Sequence, residues 1–160
     1  MKNNNLVIVG LGSIGANLAH YLISQNYKIR VWDKNLTKLK KFSKKNNIKI
    51  ISKFSQNLIK NDIVILTINA GKNVDNFFYK NIKSLKKTKY LIDLGNNHPE
   101  DTLRRYYFLK KRKIKYINPG FSGGIEGAKG KASLMLSCDK KELEYLNNLF
   151  SLISGNKKSS

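Results

Sequence analysis

A single cysteine, Cys138, leaves this chain of 160 residues without an internal disulfide, and with no second thiol a zinc site is not expected either. That usage fits a reducing cytoplasm. Long apolar runs are missing too. No stretch reaches the roughly 18 to 20 apolar residues that a membrane span requires, so a soluble cytoplasmic protein with no membrane partner is expected. The opening MKNNN shows neither the charged start, the apolar core nor the small-residue cleavage site of a secretory leader, and export is not expected. Acidic residues are scarce, 10 against 31 Lys and Arg, for a formal charge of +21. Such an excess raises the question of a polyanion partner, because basic groups that neutralise phosphates release counterions. The lysines, however, are scattered beside Asn and Ile through nearly every segment. The densest runs, KLKKFSKK at 38–45 and KKRKIK at 110–115, fall on polar faces or ends of predicted helices. Charge of this kind serves solubility, and nucleic acid is disfavoured as the main partner.

What is present is a hydrophobic fraction of 41%, enough for one domain with a real core but short of the two-domain plan of most dehydrogenases. The domain is expected over residues 1–155, with a short polar tail at 156–160. No internal repeat or long linker interrupts it. Short β-branched runs alternate with longer amphipathic stretches: LVIV at 6–9, KIRVW at 28–32, IKII at 48–51, DIVILTI at 62–68, YLIDL at 90–94, KYIN at 115–118 and ASLML at 132–136. Helices are read from about Ser13 to Gln25 and over LTKLKKFSKK at 36–45, VDNFFYKNIKSL at 74–85, EDTLRRYYFLKK at 100–111 and KKELEYLNNLFSLI at 140–153. This pattern predicts an α/β fold of the Rossmann type, a doubly wound and mostly parallel sheet with helices on both faces.

LVIVGLGSIGANLAHYL sets Gly10, Gly12 and Gly15 as G-x-G-x-x-G between the first strand and first helix. The first glycine permits the turn, the second lets a pyrophosphate approach the backbone, and the third lets helix and strand pack closely. The helix N-terminus supplies free N–H donors to the phosphates. Gly10, Leu11, Gly12, Ser13, Ile14 and Gly15 are therefore cofactor-binding candidates. Asp33 ends the second strand at the fingerprint's spacing and could accept hydrogen bonds from the ribose 2′-OH of NAD while repelling the 2′-phosphate of NADP. Lys34 follows it, with Arg30 and Lys38 nearby, and a basic group there offsets that repulsion. Local chemistry leans slightly to NAD, and the choice stays open.

The second half, YLIDLGNNHPEDTLRRYYFLKKRKIKYINPGFSGGIEGAKGKASLM, resembles 6-phosphogluconate dehydrogenase, a member of the β-hydroxyacid dehydrogenase superfamily. Asp93, Gly95 and Asn96 match a D-G-G-N-S stretch of that family. Asp101, Thr102, Arg104 and Arg105 match a D-T-x-R-R helix, and Ser122, Gly123, Gly124, Glu126, Gly127 and Ala128 match a V-S-G-G-x-x-G-A loop. INAGKNVDNFF at 68–78 looks like the family's V-K-A-G-x-x-V-D-D-F segment. The resemblance covers nearly the whole chain. Leu94, Asn97, Asn69, Ile125 and LSC at 136–138 depart from the pattern.

The resemblance implies NADP as cofactor, with Asn69, Ala70 and Asn96 beside it. It also implies a sugar-phosphate substrate held by Asn96, Ser122, Gly123 and Gly124. Consecutive glycines let backbone N–H groups converge on a carboxylate or hydroxyl. The family's reaction is oxidative decarboxylation of 6-phosphogluconate to ribulose 5-phosphate. Its base and acid lie in a later helical domain that is expected to be absent here, so no catalytic residue is assignable. A truncated or isolated cofactor domain follows, served by a separate helical domain or subunit. The alternatives are another β-hydroxyacid dehydrogenase, of the hydroxyisobutyrate type, and a non-catalytic basic binding module. His20 is expected on a helix surface, His98 at a helix start before Pro99, and Cys138 partly buried. Arg104 and Arg105 are expected to be solvated or paired to Asp101.

Overall fold

The computed structural model describes residues 5–46 and 48–155, so the expected tail at 156–160 lies outside the described residues. Six strands form one sheet: β1 (Leu6–Val9), β2 (Ile29–Trp32), β3 (Lys49–Ile50), β4 (Asp62–Leu66), β5 (Thr88–Asp93) and β6 (Tyr116–Ile117). All pairings are parallel, in the order β3-β2-β1-β4-β5-β6. β1 and β4 are buried along their whole length, which is why both read as unbroken apolar runs rather than alternating ones.

Alternation along β1 divides the core between the two faces of the sheet. Leu6 and Ile8 join one cluster with Leu18 and Leu22 of α1 (Ser13–Ser24) and with Leu146 and Phe150 of α7 (Lys140–Ile153). Val7 and Val9 join the other, with Phe77 and Phe78 of α4 (Lys72–Leu85) and Leu109 of α5 (Pro99–Lys110). In α1 the buried Gly15, Leu18, Ala19 and Leu22 recur three and four residues apart, the stripe of a helix packed on one side. Asn26, at φ 63°, takes the left-handed conformation that turns the chain away beyond α1. α2 (Leu36–Asn46) is polar, as its sequence predicts, and Lys38, Lys40, Lys41 and Lys44 are exposed on it.

Two features depart from the sequence reading. α3 (Phe54–Asn57) was not anticipated, and it buries Phe54. ASLML does supply a strand, β8 (Ser133–Met135), but that strand does not extend the main sheet. It pairs antiparallel with β7 (Gly120–Ser122), which lies at the start of the glycine stretch. A short helix, α6 (Gly124–Glu126), and a wide π-type turn over Gly127–Lys131 connect the two.

Candidate functional site

In an open α/β sheet the crevice for a ligand lies at the carboxyl ends of the strands where the winding reverses. Here that point falls between β1 and β4. Four loops meet above it and enclose a cleft of about 580 Å³, walled by Gly12–Ile14, Thr67–Ala70, Leu94–Asn96 and Phe121–Gly124. Of the residues picked out from sequence, Gly12, Ser13, Ile14, Asn69, Ala70, Asn96, Ser122, Gly123 and Gly124 all reach the cleft, although up to 112 positions separate them. Gly10, Leu11, Gly15, Asp33 and Lys34 are not among its walls. The sequence reading missed Thr67 and Phe121 as lining residues, and it had Ile68, Leu94 and Gly95 only as part of the resemblance.

The three fingerprint glycines divide their work physically. Gly10 sits at φ 97°, and a Cβ there would stand 2.9 Å from both Ile68 Cγ2 and the Thr67 carbonyl oxygen. A Cβ on Gly15 would overlap the Gly10 carbonyl oxygen and Thr67 Oγ1. Thr67 Oγ1 lies 2.9 Å from that same carbonyl oxygen and donates towards it, so helix, turn and strand close on one point. Gly12 differs. Apart from its immediate chain neighbours, no heavy atom lies within 4 Å of where its Cβ would be, and the protein's own packing gives no reason for a bare backbone there. Gly12 borders the cleft at the start of α1, whose first turn has no side-chain cap. Open space beside uncapped N–H donors fits the pyrophosphate of a dinucleotide.

Asp33 is buried, and both its oxygens are engaged: Oδ2 accepts from the Leu11 amide at 2.6 Å and Oδ1 from the Asn35 amide at 2.8 Å. The carboxylate thus braces the turn after β1. Lys34 and Lys38 are exposed beside it. Arg30, grouped with them from sequence, points to the other end of the sheet. Its guanidinium pairs with the fully buried Asp62 at the start of β4 and donates to the Asn57 carbonyl at 2.8 Å. Trp32 packs edge-on against Phe54, with ring centroids 5.6 Å apart.

Behind Asn96 lies a buried polar network. Asp93, at the end of β5, accepts from the Gly95 amide at 3.0 Å, Asn97 Nδ2 at 3.0 Å and the Tyr116 hydroxyl at 3.1 Å. Burial pushes its carboxyl above the usual range despite these bonds. Asn118 Nδ2 donates to the Asp93 carbonyl at 2.6 Å, and Thr102 holds Asn118 through its hydroxyl at 2.7 Å. Arg105 corrects the sequence reading. It is neither solvated nor chiefly paired to Asp101, from which it stands 3.7 Å away, but 1% exposed and bonded to Asp75. Burial works against its charge, and the Asp75 carboxylate outweighs that effect. The bond from Arg105 holds Asp75 well below the usual carboxylate range. Arg104 does pair with Asp101, at 2.9 Å, and with Asp75 at the same distance.

The glycine stretch is built rather than slack. Gly123, at φ 119°, accepts through its carbonyl from the Gly127 amide at 2.7 Å, and a Cβ on it would stand 2.9 Å from Gly127 Cα. The π-type turn then seats on α1, where Gly130 leaves room for the Tyr21 ring. Ser122, Gly123 and Gly124 are left exposed at the cleft. The remaining candidates lie outside it. His20 is half-buried against Phe42, His98 is exposed at the start of α5 before Pro99, and Cys138 is partly buried. Among the described residues no group of three or more His, Cys, Asp or Glu could hold a metal, and no helix is long and apolar enough to cross a membrane.

Comparison with known proteins gives the same picture from another direction. Residues 5–158 match the family described as the NAD binding domain of 6-phosphogluconate dehydrogenase. The decarboxylating 6-phosphogluconate dehydrogenase of Buchnera aphidicola is 30% identical over 160 residues, which take in 96% of this chain and 34% of that protein. Among solved structures, the Plasmodium falciparum 6-phosphogluconate dehydrogenase, known with its cofactor NADP+ and with its substrate, is 26% identical. It superimposes with a TM-score of 0.80 over 98% of this chain and 35% of its own. A Mycobacterium tuberculosis 3-hydroxyisobutyrate dehydrogenase, 17% identical, shares the fold with a TM-score of 0.82, over 95% of this chain and 52% of its own. The chain spans about a third of the length of the curated relative.

Proposed function

The chain belongs to the family of the NAD binding domain of 6-phosphogluconate dehydrogenase, and on that premise we propose that its cleft binds NADP and presents it to a sugar-phosphate acid, 6-phosphogluconate, for oxidative decarboxylation. One observation carries the reading: the empty space at Gly12 opens onto a cleft where four distant loops converge. The dinucleotide, when bound, accepts the hydride. This chain's own part is to hold and orient. The Ser13 and Ile14 backbone amides at the start of α1 face the pyrophosphate, while Asn69, Ala70 and Asn96 line the portion nearer Ser122. The Ser122 hydroxyl and the Gly123 and Gly124 amides offer donors to a carboxylate or hydroxyl of the sugar acid.

NADP is favoured over NAD by the state of Asp33. Both carboxylate oxygens already accept backbone N–H bonds, which offsets their negative charge, and the exposed Lys34 and Lys38 supply positive charge at the same edge. None of the lining residues ionises near neutral pH, so the proton transfers of decarboxylation fall to groups of another segment or subunit. Equilibrium dialysis against NADPH and NADH tests the binding step. One saturable NADPH site per folded chain, tighter than NADH, supports the proposal, and a folded chain that retains neither refutes it.

A further inference from the structure

We propose that Arg105 is a positioning residue for the cleft, a buried clamp that fixes the loop carrying Asn69 and Ala70 against the loop carrying Asn96. Its Nε donates to Asp75 Oδ1 at 2.8 Å, and its Nη2 to Asp75 Oδ2 at 3.2 Å and to the Gly71 carbonyl at 2.9 Å. Its Nη1 donates to Asn97 Oδ1 at 2.6 Å. Gly71 directly follows Ala70 and caps α4, whose first turn carries Asp75. Asn97 directly follows Asn96, and its Nδ2 donates onward to Asp93 Oδ2 at 3.0 Å and to the Gly95 carbonyl at 3.1 Å. One planar guanidinium therefore joins two of the cleft's four walls from behind without entering the cleft.

A buried ion pair is by itself weak grounds for a role in stability, since desolvation offsets much of the attraction. The two bonds beyond the pair, to Gly71 and Asn97, are what set Arg105 apart. Both end on cleft loops, and both need the rigid fork of donors that lysine lacks. Arg104, next in sequence and half exposed, reaches Asp75 and Asp101 but has no bond to either loop. Adjacent positions of α5 thus carry a surface arginine that pairs and a buried one that clamps.

This inference rests on the dinucleotide reading of the cleft, and its test separates the two. Arg105→Lys and Asn97→Ala are compared with the unaltered chain by calorimetry, using NADP+ and 2′-phospho-ADP-ribose, which lacks the nicotinamide ring. Displaced lips should weaken NADP+ about five- to tenfold, the equivalent of one ordinary hydrogen bond, while the fragment holds within about twofold. Equal loss of both ligands, or loss of neither, overturns the clamp. Should Arg105→Lys fail to fold, Asn97→Ala decides the matter alone, because it cuts the link to the Asn96 loop and leaves the Asp75 pair in place. An unaltered, folded chain that binds neither ligand overturns the dinucleotide reading itself, and the clamp with it.

Discussion

The Leu11 amide donates to Asp33 Oδ2 across 2.6 Å, tying the turn after β1 to the end of β2 over 22 positions of sequence. With the Asn35 amide on its other oxygen, Asp33 is a structural brace, and in the proposed binding mode it is also a charge at the cofactor edge. Asn in its place offers one carbonyl oxygen for two backbone donors. Asp33→Asn should therefore lower stability by about 1–2 kcal/mol while shifting the affinity ratio further toward NADP+, as a negative charge is removed. Denaturant unfolding and paired titrations with NAD+ and NADP+ check both halves, and an unchanged ratio would count against the cofactor edge lying there.

Gly15 predicts a different kind of failure. An added methyl would overlap the Gly10 carbonyl oxygen and Thr67 Oγ1, and the backbone carbonyl cannot retreat without moving the turn after β1. Gly15→Ala should destabilise the fold by about 1–3 kcal/mol, the usual penalty for overpacking. Urea unfolding at constant slope reads this, and a wild-type midpoint would show that the helix does not seat on the strand as described.

Asp75 and Asp93 should bend the pH dependence of stability in opposite senses. The bond from Arg105 lowers the Asp75 pKa, so the unfolded chain takes up that proton first. Asp75 therefore stabilises fully above the ordinary carboxylate range, and the contribution is lost as pH falls through its depressed folded value. Burial raises the Asp93 pKa, so there the folded chain binds the proton first, and stability falls as pH rises from the ordinary value through the raised one. Asp75→Asn strands a buried guanidinium and should cost about 3 kcal/mol or more at neutral pH. That gap to wild type should narrow below about pH 4, where the unfolded wild-type chain begins to take up the Asp75 proton. Unfolding midpoints measured from neutral pH into acid would contradict this if the gap stayed constant.

The composition of the cleft predicts how far the chain goes by itself. No lining residue titrates near neutrality, so mixing the chain with NADP+ and 6-phosphogluconate should give no growth of absorbance from reduced cofactor beyond a heat-treated control. Steady turnover would mean that a general base lies within these residues.

Most of the sheet was legible in the sequence because its central strands, β1 and β4, are short, largely apolar runs buried along their whole length, as LVIV and DIVIL show. β7 and β8 were not fully legible. A three-residue strand beginning at Gly120 carries no period, and ASLML looks the same whether it joins the main sheet or a separate hairpin. The cleft residues were legible through their motifs, but the support behind them was not. Arg104 and Arg105 look alike on the page, and only spacing separates them: Arg105 lies four residues before Leu109, both buried on one face of α5. Read with that spacing, the second arginine belongs to the core side. Arg30 was misplaced because position along β2 does not say toward which end of the sheet a long side chain runs, and the buried Asp62 decides it.

The central claim is that the space at Gly12 belongs to a dinucleotide, and the sharpest test adds one methyl group there. Gly12 has φ −68° and no neighbour within 4 Å of a Cβ, so Gly12→Ala should leave stability within about 1 kcal/mol of wild type. Calorimetric titration with NADP+ should then show one saturable site on the wild-type chain and at least a roughly tenfold loss on the variant, the effect of about 1.4 kcal/mol. Equal NADP+ binding by both folded proteins would place the pyrophosphate elsewhere and contradict the account.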